Sequence, residues 1–207
     1  MRLVFAGLVA IVLQSAGAPA NLPPAYPRAG ATKILDNDRL QVWNIAWLKG
    51  QASPMHRHIY DLLGVYYEPG DRIIISSEGT RRPVSTKAGD VIFQRTGVTH
   101  IEEGVSEVPL RAAFVELKHA DQHGADTAAG GAPAFSGEGA KQRLDNERGT
   151  IWEYAQPPAS GQHRHVYDAV VVVIDGQNPR AMWVPRGTVH ADEGVTGTPK
   201  VYVFELK

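Results

Sequence analysis

The chain has 207 residues, with 21 basic side chains against 22 acidic ones and no cysteine. The missing cysteines exclude disulfides, thiolate metal sites and cysteine nucleophiles, so any metal ligand is His, Asp or Glu. The balanced charge contains no basic run, which excludes the electrostatic footprint of a nucleic-acid or anionic-membrane binder and leaves a small-molecule substrate or ligand as the expected partner.

Arg2 is followed by the apolar run 3–13 and then by small residues ending Ala18-Pro19-Ala20. Charge, apolar core and small residues in that order form a signal-peptide pattern, so residues 1–20 are read as a leader whose removal leaves a periplasmic or secreted protein. The run is well short of the roughly 20 residues that span a bilayer, and no later stretch approaches it, so no membrane span is expected in the mature chain.

Past the leader the chain reads as short strands rich in β-branched and aromatic residues, at 40–48, 62–67, 72–76, 90–93 and 110–117. Turn signals such as Glu68-Pro69-Gly70-Asp71 and Lys87-Ala88-Gly89-Asp90 separate them. No segment carries a long 3.6-residue period, and many short strands at regular spacing predict an all-β sandwich or jelly roll. Residues 119–140 are rich in Gly, Ala and Asp without hydrophobic periodicity, and read as a flexible linker.

The linker separates two copies of one pattern. Leu35-Asp36-Asn37 returns as Leu144-Asp145-Asn146, and His56-Arg57-His58-Ile59-Tyr60-Asp61 returns as His163-Arg164-His165-Val166-Tyr167-Asp168. Further on, Gly97-Val98-Thr99-His100 matches Gly187-Thr188-Val189-His190, and Glu116-Leu117-Lys118 matches Glu205-Leu206-Lys207. The order is the same in both, which marks a duplication. The expected units are therefore 21–118 and 141–207. The second is shorter by about one hairpin, because about 33 residues separate Asp61 from Arg95 but about 16 separate Asp168 from Pro185.

Alternation along a strand puts His56 and His58 on one face, with Tyr60 expected next on it. A third imidazole from a distant strand, His100, completes a neutral nitrogen set suited to Fe, Mn, Zn, Cu or Ni with positions left open for water or substrate. His163, His165 and His190 repeat the arrangement. The alternative is a set of histidines hydrogen-bonded inside a dry barrel.

Together these motifs resemble the cupin superfamily. Its first motif has a Gly, five residues and His-X-His, matched by Gly50 and His56-Arg57-His58; its second is matched by Gly89, Gly97 and His100, with Arg95 where proline is usual and Gly104 in place of asparagine. In the second copy Pro185-Arg186-Gly187 and His190 fit, without the leading glycines. The resemblance covers nearly the whole mature chain and implies two tandem double-stranded β-helix barrels, each holding a divalent transition metal inside. The family's usual glutamate ligand is missing: Asp61 and Asp168 stand only three residues after the second histidine. Asp61 is carried as a metal ligand if the strand bulges there, and otherwise orients a histidine or caps a turn. Glu102, with Asp192 in the other copy, is the rival carboxylate, and a three-histidine site without one is the third arrangement. Tyr60 and Glu102 are the candidate catalytic groups; Trp43, Trp47, Trp152 and Trp183 are expected in the core.

The resemblance implies a metal-dependent enzyme acting on a small organic molecule, with oxygenase-like chemistry slightly ahead of decarboxylation. The alternatives are a non-catalytic metal- or ligand-binding module and a structural bicupin. The shortened second barrel is read as a structural or homodimerising half.

Overall fold

The computed structural model describes residues 21–119, 140–154, 162–190 and 200–207. The expected leader at 1–20 and the linker residues 120–139 lie outside the described residues. The expectation of an all-β protein holds: fourteen strands and no helix are found among the described residues. No helix there is long and apolar enough to cross a membrane.

The first half contains β1 (Ala31–Asp36), β2 (Leu40–Trp47), β3 (His56–Arg57), β4 (Asp61–Glu68), β5 (Gly70–Ser76), β6 (Arg81–Thr86), β7 (Val91–Gln94), β8 (Thr99–Gly104) and β9 (Leu110–Leu117). They form two antiparallel sheets, ordered β1-β2-β9-β4-β7 and β3-β8-β5-β6. The second half contains β10 (Ala140–Asp145), β11 (Gly149–Tyr154), β12 (Asp168–Ile174), β13 (Arg180–Val184) and β14 (Lys200–Leu206), in one sheet ordered β10-β11-β14-β12-β13. That order reproduces the first sheet strand for strand. Even the irregularity recurs, since the register shifts between Lys33 and Leu35 in β1 and between Gln142 and Leu144 in β10.

The expected missing hairpin is β5–β6. In the first half it joins β4 to β7; in the second, β12 runs to β13 through the short turn 175–179. Of the second four-stranded sheet, the second half keeps, among the described residues, the antiparallel bridge between His163 and His190.

Alternation along the strands builds three apolar layers. Trp43, Ile45 and Trp47 of β2, Leu62 and Tyr66 of β4, and Leu110, Ala112 and Phe114 of β9 point into the first barrel. The opposite faces of those strands carry Leu40, Val42, Leu63, Val65, Ala113 and Val115, which meet Ile151, Val170, Val172, Tyr202 and Phe204 from the second half. The two five-stranded sheets therefore pack face to face, and full burial of each large side chain there contributes roughly 1.5–3 kcal/mol. Tyr154, Val171, Val173, Val201 and Val203 form the inner layer of the second half.

Paired polar contacts seal this junction. Asp61 pairs with Arg148 at 2.9 Å and Asp168 with Arg39 at 3.5 Å, so each half receives an arginine from the other. Both arginines sit in turns shaped by the repeated asparagine: Asn37 Oδ1 accepts from the amides of Arg39 and Leu40, and Asn146 Oδ1 from those of Arg148 and Gly149. The repeated aspartates beside them pair with the repeated lysines, Asp36 with Lys118 and Asp145 with Lys207.

Candidate metal centre

The short strand β3 lies antiparallel to β8, with His56 opposite His100. His58 follows immediately: its amide donates to Val98 O at 2.9 Å, and its carbonyl accepts from the amide of Gly97 at 2.7 Å. Gly97 stands at φ 91°, a region that side-chain-bearing residues resist, and its counterpart Gly187, at φ 71°, makes the same bond to His165 O at 2.9 Å. This explains why a glycine three residues before the last histidine occurs in both copies: the turn clamps the His-X-His segment against the strand that carries the third ligand.

The expected triads are assembled. The ligand atoms of His56, His58 and His100 lie within 4.8 Å of one another, as do those of His163, His165 and His190. In the first triad all three are buried, at 2 %, 2 % and 7 % exposure. His56 Nδ1 contacts Pro54 O at 2.9 Å and Ser53 Oγ at 3.2 Å. A carbonyl only accepts, so Nδ1 carries the proton and Nε2, buried without a partner, carries the lone pair. His58 Nε2 and His100 Nε2 are 3.3 Å apart. Two nitrogens each about 2.1 Å from one ion stand roughly 3.0–3.4 Å apart, so these residues fit a metal. Burial also lowers the pKa of each of the three: that of His58 falls to about 3, with His100 and His56 adding repulsion. Neutral imidazole is the form that ligates.

The second triad is more open, with only His165 buried. Its ring centroids lie 4.3–5.3 Å apart. His165 Nδ1 contacts Glu205 Oε1 at 3.4 Å, and Trp152 Nε1 donates to Glu205 Oε2 at 3.0 Å. The corresponding Glu116 keeps the tryptophan bond, accepting from Trp43 at 2.9 Å, but its other contact is Gln41 at 2.7 Å in place of a histidine. The two sites share their ligands but differ in what orients them.

Of the expected carboxylates, Asp61 is not brought to the triad. Its Oδ1 accepts the Thr96 amide at 2.8 Å and its Oδ2 pairs with Arg148. Asp168 likewise accepts the Arg186 amide at 3.0 Å. Both cap a backbone amide and join the halves, which places Asp61 at the junction and outside the triad's grouped ligand atoms. Tyr60 is also displaced from the ligands' face, because the strand ends at Arg57 and the chain bends at Tyr60. It lines a surface cavity of about 170 Å³ with Asp61, Lys118 and Arg148.

Glu102 does share the inward face of β8 with His100 and is 5 % exposed. It lies outside the triad's 4.8 Å grouping and is held by Arg28 Nη2 at 3.2 Å and Arg72 Nε at 3.3 Å. Burial pushes its pKa up, but Arg28 and Arg72, with smaller contributions from His100 and Trp47, hold it below the usual carboxylate range. Asp192 lies outside the described residues. Trp43 and Trp47 are buried as expected, and Trp152 and Trp183 pack partly buried against the core.

Sequence reasoning missed the segment after the expected leader. Pro23 O accepts from the Arg57 amide at 2.9 Å, which lays residues 23–29 against the site. Tyr26 enters the barrel with its ring 5.2 Å from Trp43 and 6.2 Å from His58. Arg28 stacks over Tyr26 and Trp47. The signal in the sequence was Tyr26 and Arg28 set among three prolines. Ser53 was missed as well: its hydroxyl contacts His56 and accepts the Glu102 amide at 3.0 Å, tying the two parts of the site together.

No protein-family model and no curated protein matches this sequence. Solved structures do. The cupin 2 conserved barrel domain protein from Leptotrichia buccalis is similar over 86 % of this chain and 88 % of its own, at 16 % identity and a TM-score of 0.50. The chain has the cupin fold. AerE from Microcystis aeruginosa is similar over 90 % of this chain and 99 % of its own, at 10 % identity and a TM-score of 0.55. A cupin domain from Bordetella pertussis matches 48 % of the chain at 23 % identity, with a TM-score of 0.40.

Proposed function

We propose that this cupin is an exported metalloprotein that holds a divalent transition metal at His56, His58 and His100 and acts on a small organic molecule. The observation that carries the reading is the buried first triad, whose imidazoles are neutral and whose ligand atoms converge within 4.8 Å. The leader pattern of 1–20 supports export, and the metal is one of Fe, Mn, Zn, Cu or Ni. A bound redox-active metal supplies Lewis acidity and, with dioxygen, a route for electron transfer from substrate. The chain's own part is to orient and to exclude. Pro54 and Ser53 fix the ring of His56, the 96–98 turn fixes His58, and Tyr26, Trp43 and Trp47 keep bulk water from the ligands. With Glu102 held by two arginines, the site offers histidines alone, which favours oxygenase-like chemistry over mechanisms that require a carboxylate ligand. The second, more open triad is a weaker metal site in a structural half.

A binding module without turnover is the second reading. It is favoured by the placement of Glu102, which two arginines hold outside the triad's grouping, so that it is not free to serve the ligands as an acid or base.

Metal content per chain, measured on protein purified from the exported fraction, tests the proposal. One or two equivalents are expected, with His56→Ala removing the tighter one and His163→Ala sparing it. A folded protein without metal sinks the metalloprotein reading; metal retention without oxygen uptake across a panel of small acids and phenols selects the binding module.

A further inference from the structure

Beside the first triad, two guanidinium groups share one carboxylate. Arg28, Arg72 and Glu102 have side chains 8 %, 6 % and 7 % exposed, so this group carries one positive charge in excess, out of water. The barrel's other buried carboxylate, Glu116, is bonded to Gln41 and Trp43 instead. Arg72 is also engaged elsewhere, donating to Tyr66 Oη at 2.8 Å and Thr86 Oγ1 at 3.3 Å.

Arg28 is not saturated. Its Nε is buried without a hydrogen-bond partner, and so is the hydroxyl of Tyr26, which is 4 % exposed. Dry donors without acceptors are costly, and a buried excess charge more so. Arg28 and His56 line one cavity of about 270 Å³, whose other walls include Pro23, Pro24, Pro27 and Pro54. That volume is below the roughly 300–1,000 Å³ of pockets for drug-sized ligands. The cavity thus combines a guanidinium that must share its one carboxylate with a second arginine, apolar walls and an edge of the triad.

Resting on the metal-centre reading, we propose that this cavity is an anion subsite which takes a small organic monocarboxylate, with Arg28 as its counter-charge beside His56. One excess charge matches one carboxylate, and the proline walls suit a short carbon chain. A neutral ligand leaves the charge unanswered. The substrate class of the site is then a small organic acid.

Propionate and its neutral isostere propionamide test this on the full chain, by calorimetric titration with and without bound Co²⁺, whose visible bands report ligand entry independently. Propionate is expected to bind at least tenfold tighter than propionamide. Arg28→Gln should remove that preference, and Arg28→Lys should keep part of it. Because Arg28→Gln leaves Glu102 with one partner, the double variant Arg28→Gln/Glu102→Gln is carried alongside. Equal binding of acid and amide, no propionate binding, or undiminished propionate binding in the Arg28→Gln variants overturns the subsite. Failure of the wild type to retain Co²⁺, or equal retention in His56→Ala, overturns the metal reading instead, and the metal-free titration then judges the subsite alone.

Discussion

Two buried glutamates on successive strands, β8 and β9, which belong to different sheets, face opposite electrostatic fates. Glu102 is held by two arginines, and replacing it with leucine leaves both cations buried without a counter-charge, so Glu102→Leu should cost about 3–5 kcal/mol in urea unfolding. Glu116 has only neutral donors, and burial raises its pKa. A carboxyl whose folded pKa lies above its unfolded value takes up a proton more readily when folded. Its stabilisation is full below the unfolded pKa and is lost as pH rises through the folded one. Glu116→Gln keeps an acceptor for Trp43, and should therefore raise stability at pH 7 with a gain that fades as the pH is lowered toward 4. Unfolding midpoints of wild type and variant across that range check the sign, and a gain that grows with acid contradicts it.

At the scale of the element, the duplicated motifs divide into those that build the site and those that join the halves. Gly97 belongs to the first kind. No neighbour crowds its missing Cβ except Arg57 Nη2 at 3.7 Å, so the cost of Gly97→Ala is conformational, about 1 kcal/mol, and Gly97→Asn should cost less because asparagine tolerates positive φ. Asp61 belongs to the second. Asp61→Asn should lower stability by about 1–3 kcal/mol through the loss of the Arg148 and Thr96 contacts while leaving metal content unchanged; a loss of metal with stability intact would return it to the ligand set. The triads were legible in the sequence because a strand of period two and a repeated spacing leave few alternatives. Tyr60 was misplaced by the same rule, which fails where β3 ends two residues into the motif. Strand β6 escaped notice since Arg81-Arg82-Pro83 does not read as a strand, yet it is the edge of its sheet, where a proline and charged residues are tolerated. Tyr26 and Arg28 carry no periodic signal at all: their places follow from tertiary packing of a proline-rich segment into the barrel mouth.

For the molecule as a whole, the deciding layer is the one between the two five-stranded sheets. Phe204 and Tyr202 are fully buried in it, at 0 % exposure. Phe204→Ala should cost about 3–5 kcal/mol and lower the unfolding midpoint without separating the halves into two transitions, since one core serves both. Two resolved transitions in calorimetry would show the halves to be independent instead. The shortening of the second half was readable from spacing alone, whereas its back-to-back packing was not, because alternation says that a strand has two apolar faces but not what covers the second. The exchange of Arg39 and Arg148 across that layer has a further meaning. When the residue that one unit lends is the residue that it borrows, the contact is isologous, the kind made by two identical subunits about a two-fold axis. The two halves thus meet, within a single polypeptide, in the way that the subunits of a symmetric dimer meet, although one half is a hairpin shorter and the other holds the buried triad.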